Sequence, residues 1–302
     1  MPEIVEIKKY CDFIKKHMKN TNIIDVKILN GRYKIHKPFE GYNIIKQHLG
    51  NNKSLKILNV ESKGKFIYMT FENDIILFCT LGLSGGWTFH NSNGKYMFPI
   101  SFEFLNAKDI DNYHNKSLNH LNIEFKTHIG SLFFFDMLSF GTIKVIDDKL
   151  LLNKKLATIG PDIMNIDTTV DIFSSSINRY KNKKIGLVLL NQKIISGIGN
   201  YLRADVLWLA KVSPFRLVKN LSDEDIDNIY NASITLTWGQ YNYKKAIKLG
   251  ILKKNTKLPK DYERNFFIYY EDTDIYGNMV KKEELYEGSQ KRFIYWCPSY
   301  QK

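Results

Sequence analysis

The first three residues, Met1-Pro2-Glu3, hold a latent nucleophile. If Met1 is removed, Pro2 becomes a free secondary amine with a carboxylate one residue away. An α-amino group has an ordinary pKa near ~8, so a modest lowering leaves much of it neutral and nucleophilic at neutral pH. Proline also starts helices, where its missing N–H costs nothing, and three residues do not separate these roles. A second candidate is Ser196-Gly197-Ile198-Gly199-Asn200. Its two glycines allow a tight turn and close approach to a ligand. A helix that follows would offer free N–H groups to an anion, and Asn200 would add an amide donor. A turn between two helices would need such glycines anyway. Lys65, in the basic turn Ser62-Lys63-Gly64-Lys65, and Arg292, in Arg292-Phe293-Ile294-Tyr295-Trp296, are ordinary cations when taken singly.

These residues need elements to position them. Pro2 to Met18 reads as a helix, with Ile4, Ile7, Cys11, Ile14 and Met18 forming one buried stripe. Glu3 and Glu6 fall in its first turn, where the helix dipole favours carboxylates and would lower the pKa of a Pro2 amine. Leu55–Val60, Phe66–Phe71, Ile75–Leu81, Ser101–Leu105, Leu121–Thr127, Ser131–Phe135 and Thr142–Ile146 read as short strands. Frequent turns and no intervening helical pattern argue for a β-sandwich or barrel. The character changes after about Lys149. Leu150–Leu156 reads as a helix, and the chain stays helical to about Gly239, with a well-formed start at Leu221–Ile226, where Ser222 and Asp225 can make a capping box. Tyr241 to Glu263 is lysine-rich and poorly periodic, which predicts a loop near phosphate or a solvated surface. Phe266–Tyr270 and Arg292–Trp296 read as the strands of a small terminal hairpin.

Composition narrows the function. The chain has 302 residues, 44% of them hydrophobic, which suits one large or two medium globular domains. No stretch approaches the ~20 apolar residues of a membrane span, and the charges from Glu3 to Lys9 do not suit a signal peptide. Cys11, Cys79 and Cys297 are scattered, which fits reduced thiols of an intracellular protein, and none has the C-x-x-C spacing of a zinc site. A net charge of +13 favours an anionic partner, nucleic acid being the commonest.

Together these pieces resemble the formamidopyrimidine-DNA glycosylase/endonuclease VIII family across nearly the whole chain. Met1-Pro2-Glu3-Ile4-Val5-Glu6 is similar to the family start M-P-E-x-P-E, with Val5 replacing a proline. Lys63-Gly64-Lys65-Phe66 resembles the basic turn with the phosphate-binding lysine, and Leu81-Gly82-Leu83-Ser84-Gly85 resembles L-G-M-S-G. Asn191-Gln192-Lys193 with Ser196-Gly197-Ile198-Gly199-Asn200-Tyr201 resembles the helix–two-turn–helix signature. The resemblance implies an α+β protein. Residues 1–149 would be a catalytic β-sandwich with an N-terminal helix, 150–262 a helix–two-turn–helix DNA-binding domain, and 263–302 a β-hairpin finger. It implies a base-excision repair DNA glycosylase/AP lyase with Pro2 as nucleophile, Glu3 as general acid/base and Glu6 orienting the N-terminus. Lys65, Asn200 and Arg292 would hold DNA phosphates, and Leu83 and Phe140 would fill or wedge the gap left by the damaged base.

Two departures shape the expectation. The end, Cys297-Pro298-Ser299-Tyr300-Gln301, has Tyr300 where a zinc finger's last cysteine would stand, and no upstream pair exists. This resembles the zincless branch, so no metal and no cofactor are expected. In Asp136-Met137-Leu138-Ser139-Phe140-Gly141, Leu138 and Ser139 replace the gap-filling arginine of D-x-R-x-F-G. Weak discrimination of the opposite base follows, with single-stranded DNA handled at least as well as duplex. The expected partner is damaged DNA, single-stranded or duplex, met by a monomer away from any membrane. The expected location is with the DNA in a nucleus, nucleoid or viral replication compartment. Oxidised pyrimidines, with ring-opened or hydantoin lesions, are the expected substrates. A non-catalytic damaged-DNA-binding protein of the same fold is the alternative.

Overall fold

A computed structural model describes residues 2–50, 53–99, 107–256 and 266–302. The chain divides into two compact units, Glu6–Ala157 with Pro2, and Thr158–Lys302 with Glu3–Val5.

Helix α1 (Ile4–Met18) lies in the first unit from Glu6 onward, and its stripe is buried as its spacing predicts. The helix starts two residues later than the expected Pro2. Strands β1 (Asn22–Ile28), β2 (Leu55–Lys63), β3 (Phe66–Phe71), β4 (Ile76–Thr80), β5 (Gly85–Asn91), β6 (Tyr96–Met97), β7 (Leu121–Thr127), β8 (Gly130–Asp136) and β9 (Thr142–Ile146) form an antiparallel array. Its order is β6-β5-β8-β7-β1-β2-β3-β4-β9. Only two residue pairs join β1 to β2, and both strands shift register beside that seam, at Ile23/Asp25 and Ile57/Asn59. Such irregularities bend a strand and increase its twist. The two halves thus share one core, in which Trp87, Phe125 and Phe134 of one half join Met69, Phe71 and Leu77 of the other, with Ile7, Cys11 and Ile14 of α1. This is the sandwich option of the sequence reading.

Helices α2 (Arg32–Ile35), α3 (Tyr42–Gln47), α4 (Ala107–Leu118) and α5 (Lys149–Ala157) complete the unit. The strand expected over Ser101–Leu105 lies outside the described residues. Sequence reading passed over β1 and β5. Two glycines, Gly85 and Gly86, open β5 and masked its pattern, although it is largely buried and pairs along its whole length with β8.

The second unit is mostly helical: α6 (Val170–Asn178), α7 (Ile185–Val188), α8 (Asn200–Leu209) and α9 (Asp223–Lys248). Its core gathers Ile4 and Val5 with Phe173, Leu202, Trp208 and Leu236. The α9 capping box forms as expected between Ser222 and Asp225, and Arg216 donates to both oxygens of Asp225 at 3.1 and 2.7 Å.

Two expectations fail here. The chain from Tyr241 to Lys248 is helix, where a loop was expected. The backbone breaks at Asn242, whose side chain then accepts from Lys245 N at 2.9 Å and restarts the helix with Ala246 buried. Lys257 and Lys260 lie outside the described residues. The terminal hairpin pairs β11 (Gln290–Trp296) with β10 (Lys281–Glu287), and Phe266–Tyr270 is a turn rather than its other strand. The reason is visible in both segments. Leu285 is buried in a strand β10 otherwise made of Lys, Glu and Tyr, so its pattern gives no apolar alternation. The apolar 266–270 segment is held as a turn by a buried carboxyl group, described below.

Candidate active site and DNA-facing groups

Glu3 lies immediately before α1 and is fully buried. Its carboxylate accepts from Gly199 N (2.6 Å), Tyr201 N (3.0 Å) and Leu202 N (3.3 Å), at the start of α8. This corrects one expectation. The N–H groups at that helix start bind an anion, but the anion is the chain's own Glu3, since a buried carboxylate gains both the helix dipole and three donors there. The turn is built for it. Gly197 has φ +111°, and a Cβ on it would stand 2.4 Å from the Ile4 side chain, so only glycine permits this approach. Ile4 N donates to Gly197 O at 3.2 Å. Gln192 braces the turn, accepting from Gly197 N (2.9 Å) and donating to Ile198 O (2.7 Å).

Sequence reasoning missed Arg203. It is fully buried, and donates to Gly186 O (3.1 Å), Asn200 Oδ1 (3.4 Å) and Phe293 O (2.5 Å). Burial lowers its guanidinium to about 10, opposed by the Glu3 carboxylate and reinforced by Arg292. It stays charged at neutral pH and ties α8 to β11. The second unit thus gathers Glu3, half-buried Asn200, buried Arg203 and exposed Arg292 in one electrostatic neighbourhood. A sequence signal existed, since an arginine three residues after Asn200 lies on the same helix face.

Asp205, also on α8, is buried beside this group. One oxygen accepts from Ile268 N at 3.2 Å, and Phe267 and Tyr269 N–H groups also face the carboxyl, which fixes the 266–270 turn. Burial raises the Asp205 carboxyl to about 8. Folded, the group keeps its proton up to that pH, whereas unfolded it ionises near ~3.9. Its stabilising contribution is therefore full below about pH 4 and is lost as pH rises to about 8. In paired unfolding measurements, the wild type should lose stability relative to Asp205→Asn by up to about 1.4 kcal/mol per pH unit between pH 5 and 8. A gap independent of pH would refute this.

The first unit holds the remaining candidates. Pro2 is half-buried ahead of α1, and Glu6 is half-buried in its first turn. Lys65 sits half-buried in the two-residue turn joining β2 and β3. Leu83 and Phe140 occupy two loops stitched together by the buried carboxylate of Asp136. Ser84 Oγ donates to it at 2.6 Å, Leu138 N at 3.2 Å and Gly141 N at 2.6 Å. Gly82 has φ +58°, and a Cβ there would stand 2.6 Å from the Phe140 carbonyl carbon, so the loops meet only through glycine. Arg32 donates to Gly141 O at 2.7 Å and braces the outer loop. The result presents Leu83, Leu138 and Phe140 to solvent at 46, 55 and 59% exposure. Three large apolar side chains on a rigid tip suit insertion between bases.

Against the C-terminal segment, Trp208 of α8 donates from Nε1 to Asp274 at 3.0 Å, and its indole stacks on Phe267, Tyr276 and Tyr300 at 4.7–5.8 Å. Tyr300 is thus a packing residue. Among the described residues no three His, Cys, Asp or Glu side chains are placed to share a metal ion, and no helix is long and apolar enough to cross a membrane.

Two family profiles cover most of the chain, the formamidopyrimidine-DNA glycosylase N-terminal domain over residues 1–143 and the formamidopyrimidine-DNA glycosylase H2TH domain over residues 159–250. The chain belongs to the formamidopyrimidine-DNA glycosylase/endonuclease VIII family. Endonuclease 8 of Escherichia coli (strain K12 / DH10B) is 23% identical over 307 residues, covering 100% of both chains. Endonuclease 8 of Shigella dysenteriae serotype 1 is 21% identical with the same coverage. In solved structures, the formamidopyrimidine-DNA glycosylase of Lactococcus lactis, non-covalently bound to DNA containing an AP site, matches with a TM-score of 0.72 at 21% identity over 100% of both chains. That likeness establishes the fold, a β-sandwich unit followed by a helix–two-turn–helix unit.

Proposed function

We propose that this family member is a bifunctional DNA glycosylase/AP lyase that removes oxidised bases through a Pro2 Schiff base. The carrying observation is the Glu3 carboxylate, buried and held by three N–H groups of the signature turn, which fixes the residue bonded to Pro2. The damaged nucleotide is flipped out of the stack. The neutral Pro2 nitrogen bonds to the sugar C1′ as the bond to the base breaks. The attack leaves a proton on the Pro2 nitrogen, and the Glu3 carboxylate takes it and delivers it to the ring oxygen as the C1′–O4′ bond breaks, which leaves an iminium. That cation is an electron sink that acidifies C2′–H, so loss of this proton to a base lets the electron pair expel the 3′ phosphate, and a second elimination releases the 5′ phosphate. Glu6 orients the N-terminus. Lys65, Asn200 and Arg292 hold phosphates, and Leu83 and Phe140 occupy the gap. Borohydride should trap a covalent DNA adduct whose cross-linked peptide begins at Pro2. An intact-mass measurement showing Met1 retained, with no adduct, would overturn this reading.

Leu138 shapes the substrate range. An apolar side chain in place of an arginine has no donors for an opposite base, so the partner strand adds little to recognition. We expect oxidised pyrimidines to be excised from single-stranded DNA at least as fast as from duplex. Side-by-side excision rates on one sequence in both forms check it, and a strong duplex preference would refute it.

A further inference from the structure

The outer face of the finger carries an aromatic strip that the proposed chemistry does not use. In an antiparallel pair, residues directly opposite share a face. Lys282 faces Tyr295, Glu284 faces Phe293 and Tyr286 faces Lys291. Tyr270, from the preceding turn, joins them, its ring centroid 5.0 Å from that of Tyr295 and 4.7 Å from that of Tyr269. Tyr270 is 70% exposed and Phe293 45%.

Two features argue against idle surface. Tyr270 has φ +65°, in the left-handed region. A bulky side chain there is a backbone outlier that glycine would relieve, and such strain gathers where the side chain has work to do. The strip is also cationic. Lys282 Nζ lies 5.9, 5.0 and 5.6 Å from the ring centroids of Tyr270, Phe293 and Tyr295. Lys291 Nζ lies 5.0 Å from that of Phe293 and pairs with Glu284. Lys282 has no carboxylate partner among the described residues.

We propose that Tyr270, Tyr295 and Phe293, with Lys282, form a stacking platform for unpaired bases of single-stranded DNA. Same-face residues two apart on a strand, such as Phe293 and Tyr295, are about 6.8 Å apart. That is twice the ~3.4 Å per-strand spacing of stacked duplex bases. The strip therefore matches splayed bases better than a duplex, and Lys282 supplies the phosphate charge. Aromatic rings accept any base, so binding is sequence-tolerant. The proposal deepens the single-strand reading above and rests on it for its biological role.

The test is equilibrium binding of a labelled, undamaged 15-nucleotide oligothymidylate and of a lesion-free duplex of equal length, at one fixed salt concentration. Tyr270→Gly should weaken oligothymidylate binding about 5- to 150-fold, the range for losing one stacked base. Tyr270→Phe should restore it, Phe293→Ala should weaken it similarly, and duplex binding should move less than twofold. The thermal midpoint of Tyr270→Gly should equal or exceed that of the wild type, since glycine relieves the backbone. Undiminished oligothymidylate binding by Tyr270→Gly overturns the platform, as does equal weakening on both DNA forms. A concentration-dependent dimer lost in Tyr270→Gly, with binding unchanged, would assign the strip to self-association. Because the probes carry no lesion, failure here is distinct from failure of borohydride trapping, which addresses the chemistry.

Discussion

Glu3→Gln should slow base excision and strand incision by 100- to 10,000-fold, the range for losing a general acid/base, and should also destabilise the second unit. The two effects share one cause. The Glu3 carboxylate is buried and accepts three N–H groups, with one oxygen serving both Gly199 and Leu202. A glutamine presents an NH2 group to one side of that cradle and removes the negative charge from the α8 helix start. Hydrogen bonds to charged groups contribute about 1.5–3 kcal/mol each, so a loss of about 2–4 kcal/mol in unfolding free energy is expected. Denaturant unfolding gives the stability, and single-turnover excision at a temperature where both proteins are folded gives the chemistry. If stability falls while excision persists, Glu3 is a cap for α8 and the acid/base role belongs elsewhere.

Arg203→Met should damage the protein through structure rather than chemistry. Methionine fills much of the volume but supplies no donors to Gly186 O and Phe293 O, nor to Asn200 Oδ1. A buried acceptor left unpaired costs about 1–3 kcal/mol; Gly186 O is buried while Asn200 Oδ1 and Phe293 O are partly so, and a total of about 2–4 kcal/mol is expected. The Phe293 carbonyl belongs to β11, so the finger hairpin should be released before the helices unfold. Limited proteolysis should cut within residues 281–296 of the variant at denaturant concentrations where the wild type is protected. A variant within 1 kcal/mol of wild type by unfolding, with an uncut hairpin, would show that Arg203 is not the tie. Arg203→Lys should recover part of the loss, because a single ammonium cannot reproduce the planar fork.

The sequence by itself carried the family, through Met1-Pro2-Glu3 and the Ser196–Asn200 turn. It also carried much of the secondary structure, including the buried stripe of α1 and the α9 capping box. These are local signals, written in residue type and spacing over a few turns of chain. The partner of each charge was not local. That the anion at the α8 helix start is Glu3 depends on residues 196 and more positions apart. That Arg203 is a buried tie to β11 depends on a carbonyl 90 positions away. The hairpin was misassigned for the same reason. Phe266–Tyr270 has the composition of a strand, but the Asp205 carboxyl, supplied by another element, holds it as a turn. Free N–H groups and a nearby carboxylate can be listed from a sequence. Burial by tertiary packing decides which of them meet, because an unpaired polar group costs most where water is excluded. For the opening residues, the sequence named Pro2 as a latent nucleophile. Tertiary structure placed the next carboxylate, Glu3, in the helix–two-turn–helix turn, where three N–H groups hold it out of water.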